Sequence, residues 1–389
     1  MFQVTNYTPT RVIFGAGRLE ELATLALPGK KALVCVTEDG LMEKLGLQKR
    51  VIDLLGKNGV AAVVFDKVTP NPLRSGVMEA AKLARENGCD FCLGLGGGSS
   101  IDTAKAAAIM LRNAGDLWEY AYTGTGGKKP ITEAAPIVTV STTSGTGTET
   151  DPYCVITNEA TGEKLDFAVE AIFPTLSIID PELMLSLPRD LTLYQGFDAL
   201  FHSAECYITN GGVNRLVDLY AEDAIRTVTK WLPVAMADGG NIEARVNMAY
   251  AADILSGYTQ ALICTTSHHI AAQTMGGMFQ KLPHGASLIL IASEYYTRVH
   301  SFFPELFDRM GSFMGEAPVP GKPGYSFVKG LNTLLEKTGM DKLAMSKFGI
   351  TTDDFAKIVD VTVDVVGIGC DRYTLTKDDL RRILEQSYK

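Results

Sequence analysis

Phe91-Cys-Leu-Gly-Leu95 runs without a break into Gly96-Gly-Gly-Ser-Ser-Ile-Asp-Thr-Ala-Lys105. A short apolar run, consecutive glycines and then helical spacing read as a strand, a tight turn and a helix. Adjacent glycines let the backbone approach a ligand closely, and the helix that follows offers free N–H groups and the positive end of its dipole. The stretch therefore reads as a pyrophosphate cradle. It departs from the usual dinucleotide fingerprint: counting from Gly94 gives Gly-Leu-Gly-Gly-Gly-Ser, with Ser99 where a third glycine is expected. No Gly-Lys-Ser/Thr follows, so it is not a P-loop. A turn that binds nothing would need fewer glycines.

The same two signals alternate on either side. Lys31-Ala-Leu-Val-Cys-Val36, Val60-Ala-Ala-Val-Val-Phe65 and Pro136-Ile-Val-Thr-Val140 read as strands, and 41–56, 74–86 and 100–112 as helices. Continuous apolar strands between helices predict a parallel sheet covered on both faces. A second loop, Ser141-Thr-Thr-Ser-Gly-Thr-Gly-Thr-Glu149, puts hydroxyls and glycines where doubly wound sheets bind ligands. At the end of an earlier strand, Glu38 can accept hydrogen bonds from an adenosine ribose and repels a 2′-phosphate. That favours NAD, with NADP as the alternative. Beyond Asp180-Pro-Glu-Leu-Met-Leu-Ser-Leu-Pro188 the alternation stops, and 191–208, 213–232, 242–261 and 327–338 carry helical spacing. The fold class expected is an α/β dinucleotide-binding domain over 1–187 followed by an all-helical, metal-binding domain over 188–389.

Composition narrows the partners. A net charge of −9 argues against nucleic acid or an anionic membrane, both of which reward clustered Lys and Arg. The sequence does not open on a basic stretch followed by a long apolar run, and no apolar stretch approaches the roughly 20 residues that span a bilayer. The expected location is the cytoplasm. Seven cysteines, an odd and scattered set, suggest reduced thiols rather than a disulfide framework. Cys89-Asp-Phe-Cys92 has redox-motif spacing, but its second cysteine enters an apolar strand and reads as a buried structural thiol.

Histidine is scarce, with five in 389 residues, and four of them fall in two segments. In Gly196-Phe-Asp-Ala-Leu-Phe-His202, Asp198 and His202 are four apart and share a helix face. Downstream come Ser267-His268-His269 and Leu282-Pro-His284-Gly285. Adjacent His268 and His269 diverge by roughly 100° on a helix, so only one of them can face the same cation. One carboxylate with three imidazoles suits Fe(II), Zn(II), Mn or Co, and disfavours Mg or Ca.

With these segments in place, the chain resembles the iron-containing alcohol dehydrogenases, a dehydroquinate-synthase-like fold, over almost its whole length. The resemblance is carried by Gly96–Lys105, Thr142–Glu149, Asp180-Pro-Glu-Leu183, Gly196–His202 and Leu282–Gly285. It implies a nicotinamide cofactor across an interdomain cleft and a metal, Fe2+ or alternatively Zn2+, on Asp198, His202, His269 and His284. Cofactor contacts carried over are Gly97, Gly98, Ser99, Asp102, Thr142, Thr143 and Thr146, with Lys164 and Leu183 flanking the nucleotide and Glu38 as the ribose-selecting acid. One extra residue before Pro283 leaves the choice between His269 and His268 open. Gln273 then falls where many members carry a histidine credited with proton transfer, and glutamine cannot titrate. Family members commonly form dimers or larger assemblies.

The reaction so implied is reversible hydride transfer between a primary alcohol, or its aldehyde, and the nicotinamide, with the cation lowering the pKa of the substrate oxygen. Asp151, Tyr153 and Thr266 are expected to line a short, mostly apolar pocket. Two alternatives compete. A dehydroquinate-synthase-like lyase would need clustered basic residues for a phosphorylated acid, which the metal segments lack, and a metal-poor NAD-binding protein is suggested by Gln273.

Overall fold

A computed structural model describes residues 2–368 and 370–389. The chain divides into two compact units, Thr8–Ser186 and Leu187–Lys389, the second joined by the N-terminal stretch up to Tyr7. That stretch follows the helices because Gln3 donates its backbone N–H to the Val213 carbonyl at 3.0 Å.

The α/β unit holds eight strands: β1 (Arg11–Phe14), β2 (Lys31–Thr37), β3 (Ala61–Val68), β4 (Phe91–Gly96), β5 (Ile137–Ser141), β6 (Tyr153–Asn158), β7 (Glu163–Ala168) and β8 (Leu176–Ile179). Six form one parallel sheet in the order β1-β8-β5-β4-β2-β3, as the apolar strand runs predict. The alternate residues Ala32, Val34, Leu93, Leu95, Val138 and Val140 pack on one side against Leu19, Leu22, Val51, Leu54 and Leu55, the period-2 consequence of the pleat. β6 and β7 form a separate antiparallel hairpin that the sequence reading does not anticipate. The stretch 41–56, expected as one helix, is α1 (Leu41–Lys44) and α2 (Leu47–Lys57). Gly46 divides them in a left-handed conformation, φ 69°. Next come α3 (Arg74–Glu86) and α4 (Gly98–Arg112). β4 and β5 are neighbours, so the loops that leave their carboxyl ends lie side by side.

The helical unit is built from α5 (Arg189–Asn210), α6 (Arg215–Ala237), α7 (Ile242–Ala249), α8 (Gly257–Leu262), α9 (Ser267–Met278), α10 (His284–Val299), α11 (Pro304–Phe313), α12 (Tyr325–Thr338), α13 (Phe355–Asp360) and α14 (Lys377–Ser387). Its core is one continuous cluster that includes Phe197, Phe201, Ile225, Leu232, Leu288, Tyr295, Tyr296 and Phe327. The stretch 242–261 is not a single α-helix: a π-helical segment, Tyr250–Ser256, joins α7 to α8. No helix among the described residues is long and apolar enough to cross a membrane.

One expectation about cysteine is corrected. Cys264 and Cys370 form a disulfide, with Cα atoms 6.4 Å apart. They are separated by 106 residues, so no local spacing reveals a pair that only the fold brings together. Cys35, Cys89, Cys92, Cys154 and Cys206 lie outside any disulfide, and Cys206 donates its thiol hydrogen to the Ile263 carbonyl. Cys92 is buried and desolvation raises its pKa well above the usual thiol range, which leaves Cys89-Asp-Phe-Cys92 without the reactive thiolate of a redox motif.

Candidate functional site

α5 carries Asp198 and His202 one turn apart, both facing inward. α9 begins at Ser267 under a Thr266 cap, whose hydroxyl accepts from the His268 backbone N–H. This start point decides which imidazole reaches Asp198. His269 Nε2 lies 3.4 Å from Asp198 Oδ1, while His268 sits between Glu205, 2.8 Å from its Nδ1, and the Leu288 carbonyl, 3.0 Å from its Nε2. His284 opens α10 behind Pro283, its Nε2 3.7 Å from Asp198 Oδ1, and His202 Nε2 is 3.6 Å from the same oxygen. Gly285 permits this approach, because a Cβ there would collide with the Tyr194 carbonyl of α5.

Ligand atoms from Asp198, His202, His269 and His284 all lie within 4.8 Å of one another. Two atoms each about 2.1 Å from one ion in tetrahedral array stand ~3.4 Å apart, and the separations above match. Asp198 Oδ1 and His269 Nε2 are buried with no hydrogen-bond partner, a costly state in a finished protein. A divalent cation bound by both atoms would satisfy them. Burial alone would raise the Asp198 carboxyl, but His202, His284 and His269 hold it down at about 2. Burial would lower His269, yet the Glu205 and Asp198 carboxylates raise it to about 9. The set is an anion among imidazoles, suited to a divalent ion. His284, with 24% of its side chain exposed against 7% or less for the other three, is the open side of the cluster.

Glu205 is the residue sequence reasoning missed. It accepts from Thr266 through both the backbone N–H and the hydroxyl, and its other oxygen faces His268 Nδ1 and His269 Nδ1. A signal existed: residues 198, 202 and 205 follow the i, i+4, i+7 pattern of one helix face. Gln273 sits half-buried on α9, four residues after His269.

In the α/β unit the two loops interlock. Thr142 donates its backbone N–H to Gly96 at 3.0 Å. A Cβ on Gly97 would stand 2.9 Å from the Thr143 side chain, and one on Gly98 only 2.7 Å from Thr146 Cγ2. Packing alone therefore disfavours a side chain at Gly97 or Gly98. α4 begins here with no side-chain cap and no acid in its first turn; Ser100 and Ile101 donate to the Gly97 carbonyl at 3.0 and 3.3 Å, which leaves the N–H groups of Gly98 and Ser99 to face an anion. Thr143 Oγ1 is buried without a partner beside them. Together these features fit a pyrophosphate.

The remaining expected contacts scatter. Asp102 accepts from Thr148 Oγ1 at 2.9 Å and from the Val155 N–H at 3.0 Å, and its burial raises it to about 6. Lys164 donates to Asn71 at 2.7 Å, a residue itself held at φ 56°. Leu183 packs against the sheet core, and Glu38 is exposed at the end of β2. The Asp151 side chain, expected in a substrate pocket, holds fully buried Lys105, whose Nζ donates to the Asp151 carboxylate at 3.1 Å and to the backbone carbonyls of Asp151 and Tyr153 at 2.8 Å; the Tyr153 side chain is half-buried. Thr266, expected there too, is engaged with Glu205.

Comparison with known proteins follows the same division. Residues 9–181 match the family model for iron-containing alcohol dehydrogenase, and residues 192–388 match the model for the C-terminal part of that family. A 1,3-propanediol dehydrogenase of Citrobacter freundii is 37% identical over 75% of this chain and 73% of its own length. An NAD-dependent methanol dehydrogenase of Bacillus methanolicus is 35% identical over 72% of each. Among solved structures, an NADH-dependent butanol dehydrogenase from Thermotoga maritima superposes with a TM-score of 0.90 at 30% identity, covering 100% of this chain and 99% of that one. An archaeal alcohol dehydrogenase from a Red Sea brine pool reaches 0.93 at 31% identity, with the same coverage. Two family models that together run from residue 9 to residue 388, and relatives above one-third identity, leave one conclusion: this chain belongs to the iron-containing alcohol dehydrogenases, a family of oxidoreductases.

Proposed function

We propose that this protein interconverts short primary alcohols and their aldehydes, using NAD and a divalent cation held by Asp198, His202, His269 and His284. The convergence of those four side chains on one point supports the reading most. A cation there supplies Lewis acidity toward the alcohol or aldehyde oxygen, and the nicotinamide supplies or takes up the hydride. Asp198 contributes the anionic charge that favours a dication over a proton-filled cluster. The exposed flank of His284 gives substrate its approach. The uncapped start of α4, with Gly97, Gly98 and Ser99, binds the pyrophosphate, and Thr142, Thr143 and Thr146 orient the dinucleotide beside it. Glu38, exposed after β2, selects NAD by repelling a 2′-phosphate. Iron is the first expectation for the metal, with zinc accepted by the same donors.

The relatives named above, acting on methanol, 1,3-propanediol and butanol by their names, suggest the panel to try. Chain-length series of alcohols with NAD+ or NADP+, and of aldehydes with NADH or NADPH, would be run in parallel on anaerobically iron-loaded and on zinc-loaded protein. Metal-dependent turnover of one series with preference for the unphosphorylated cofactor is the expected result. Equal turnover after metal removal would refute the proposal.

A further inference from the structure

We propose that Glu205 is a positioning residue of the metal centre, a buried carboxylate that fixes His269 by binding its far ring nitrogen. This rests on reading Asp198, His202, His269 and His284 as the metal site. Glu205 lies three residues after His202 and seven after Asp198, on the same face of α5 and deeper in the unit. It is fully buried, and both of its oxygens face the start of α9. Oε1 is 2.7 Å from His269 Nδ1 and 2.8 Å from His268 Nδ1. Oε2 accepts the Thr266 N–H at 2.9 Å and the Thr266 hydroxyl at 2.8 Å.

A carboxylate can only accept, so His269 Nδ1 must carry a hydrogen, which leaves Nε2, 3.4 Å from Asp198 Oδ1, as the nitrogen a cation would bind. A ligating imidazole whose second nitrogen is bound in this way is fixed in both tautomer and ring orientation. His268 braces the arrangement from behind, its Nε2 held by the Leu288 carbonyl of α10. Glu205 thereby ties three helices around one ligand. Glu205, His268 and His269 could also be imagined holding an ion themselves. Their 2.7–2.8 Å contacts argue otherwise: they are hydrogen-bond distances, shorter than the ~3 Å or more that two ligands of one ion keep.

The test is metal affinity rather than turnover. Metal-free wild type, E205Q, E205D and D198N would each be titrated with Co2+ against a chromophoric chelator, recording the visible bands of the cobalt form and the far-UV circular dichroism. Gln keeps the volume but replaces an acceptor oxygen with an N–H2 that faces donors; Asp keeps both acceptors and withdraws them by one methylene. With native dichroism, E205Q should bind Co2+ 10–100-fold more weakly with shifted bands, and E205D should fall between it and wild type. Wild-type affinity and unshifted bands in E205Q overturn the positioning role, and E205D decides by the same criteria if E205Q does not fold. If wild-type protein takes up no cobalt, or D198N matches it, the site itself has been misread, which is a separate failure.

Discussion

The two units hold buried carboxyl groups that titrate in opposite directions. In the helical unit Asp198, buried among three imidazoles, is held down at about 2. In the α/β unit Glu149 is equally buried but is pushed up to about 7, because desolvation outweighs its hydrogen bond from the Ser141 hydroxyl. Its second oxygen has no partner. Burial is common to both, and the neighbours decide the sign. The metal centre is made of side chains whose identity is the site. The cofactor loops are made of backbone, hydroxyls and absent side chains, where shape is the site. Substitutions should therefore fail differently in the two places.

The largest effect belongs to the side-chain site. Asp198→Ala or His202→Ala removes one of the four proposed ligands, and turnover should drop well beyond the ~100-fold typical of losing a supporting contact. NADH binding, followed by fluorescence titration, should stay within about twofold, since nothing in the α4 cradle changes. A parallel loss of NADH affinity would break the separation drawn between the two regions.

A smaller effect attends the disulfide staple of the helical unit. Cys264 sits two residues before the Thr266 cap, and Cys370 precedes Asp371, whose carboxylate accepts the Ser267 N–H at 2.7 Å. Replacing both cysteines by serine should lower stability toward urea by about 2–4 kcal/mol. A thiol assay on unfolded, unreduced protein should count five free groups; seven would show that the pair stays reduced in solution.

Glu149 offers a contrast through pH. Its folded pKa of about 7 lies above its ordinary 4.5, so the folded state binds more protons between those values. Stability contributed by this group is complete below about 4.5, falls as pH rises, and is lost above about 7. Glu149→Gln should flatten the melting temperature against pH in that window, a difference of at most about 3 kcal/mol across it. An unchanged slope would mean that the carboxyl is ionised throughout.

Much of this was legible in residues, and what escaped did so for physical reasons. The strand into Gly96 and the helix to Arg112 could be read because apolar runs and glycines act locally. β1 and β8 are four residues each, too short for periodicity to register, and β6 and β7 carry mixed polarity because they form a hairpin outside the main sheet. Histidine scarcity exposed Asp198, His202 and His284. The choice between His268 and His269 hung on where α9 starts, which the Thr266 cap sets and composition does not. Glu205 was hidden because an acid on a helix face ordinarily reads as solvated surface. Asp151 looked like a pocket residue until the buried ammonium of Lys105 claimed it.

The smallest and sharpest prediction asks why the cradle has so many glycines. A Cβ on Gly98 meets Thr146 Cγ2 at 2.7 Å, and Thr146 Oγ1 at 3.3 Å. Gly98→Ala should cost about 1–3 kcal/mol through overpacking. It should also weaken NADH binding, because α4 must move away from the second loop. Thr146→Ser deletes only the methyl in conflict. If packing sets the glycine requirement, the double variant G98A/T146S should recover most of the lost stability and NADH affinity together. If close approach of the dinucleotide sets it, stability returns while affinity stays low, because the new Cβ still occupies the ligand's side of the turn. The first outcome would make the backbone-built site as dependent on a neighbouring side chain as the metal centre is on Glu205, and the contrast between the two units would narrow accordingly.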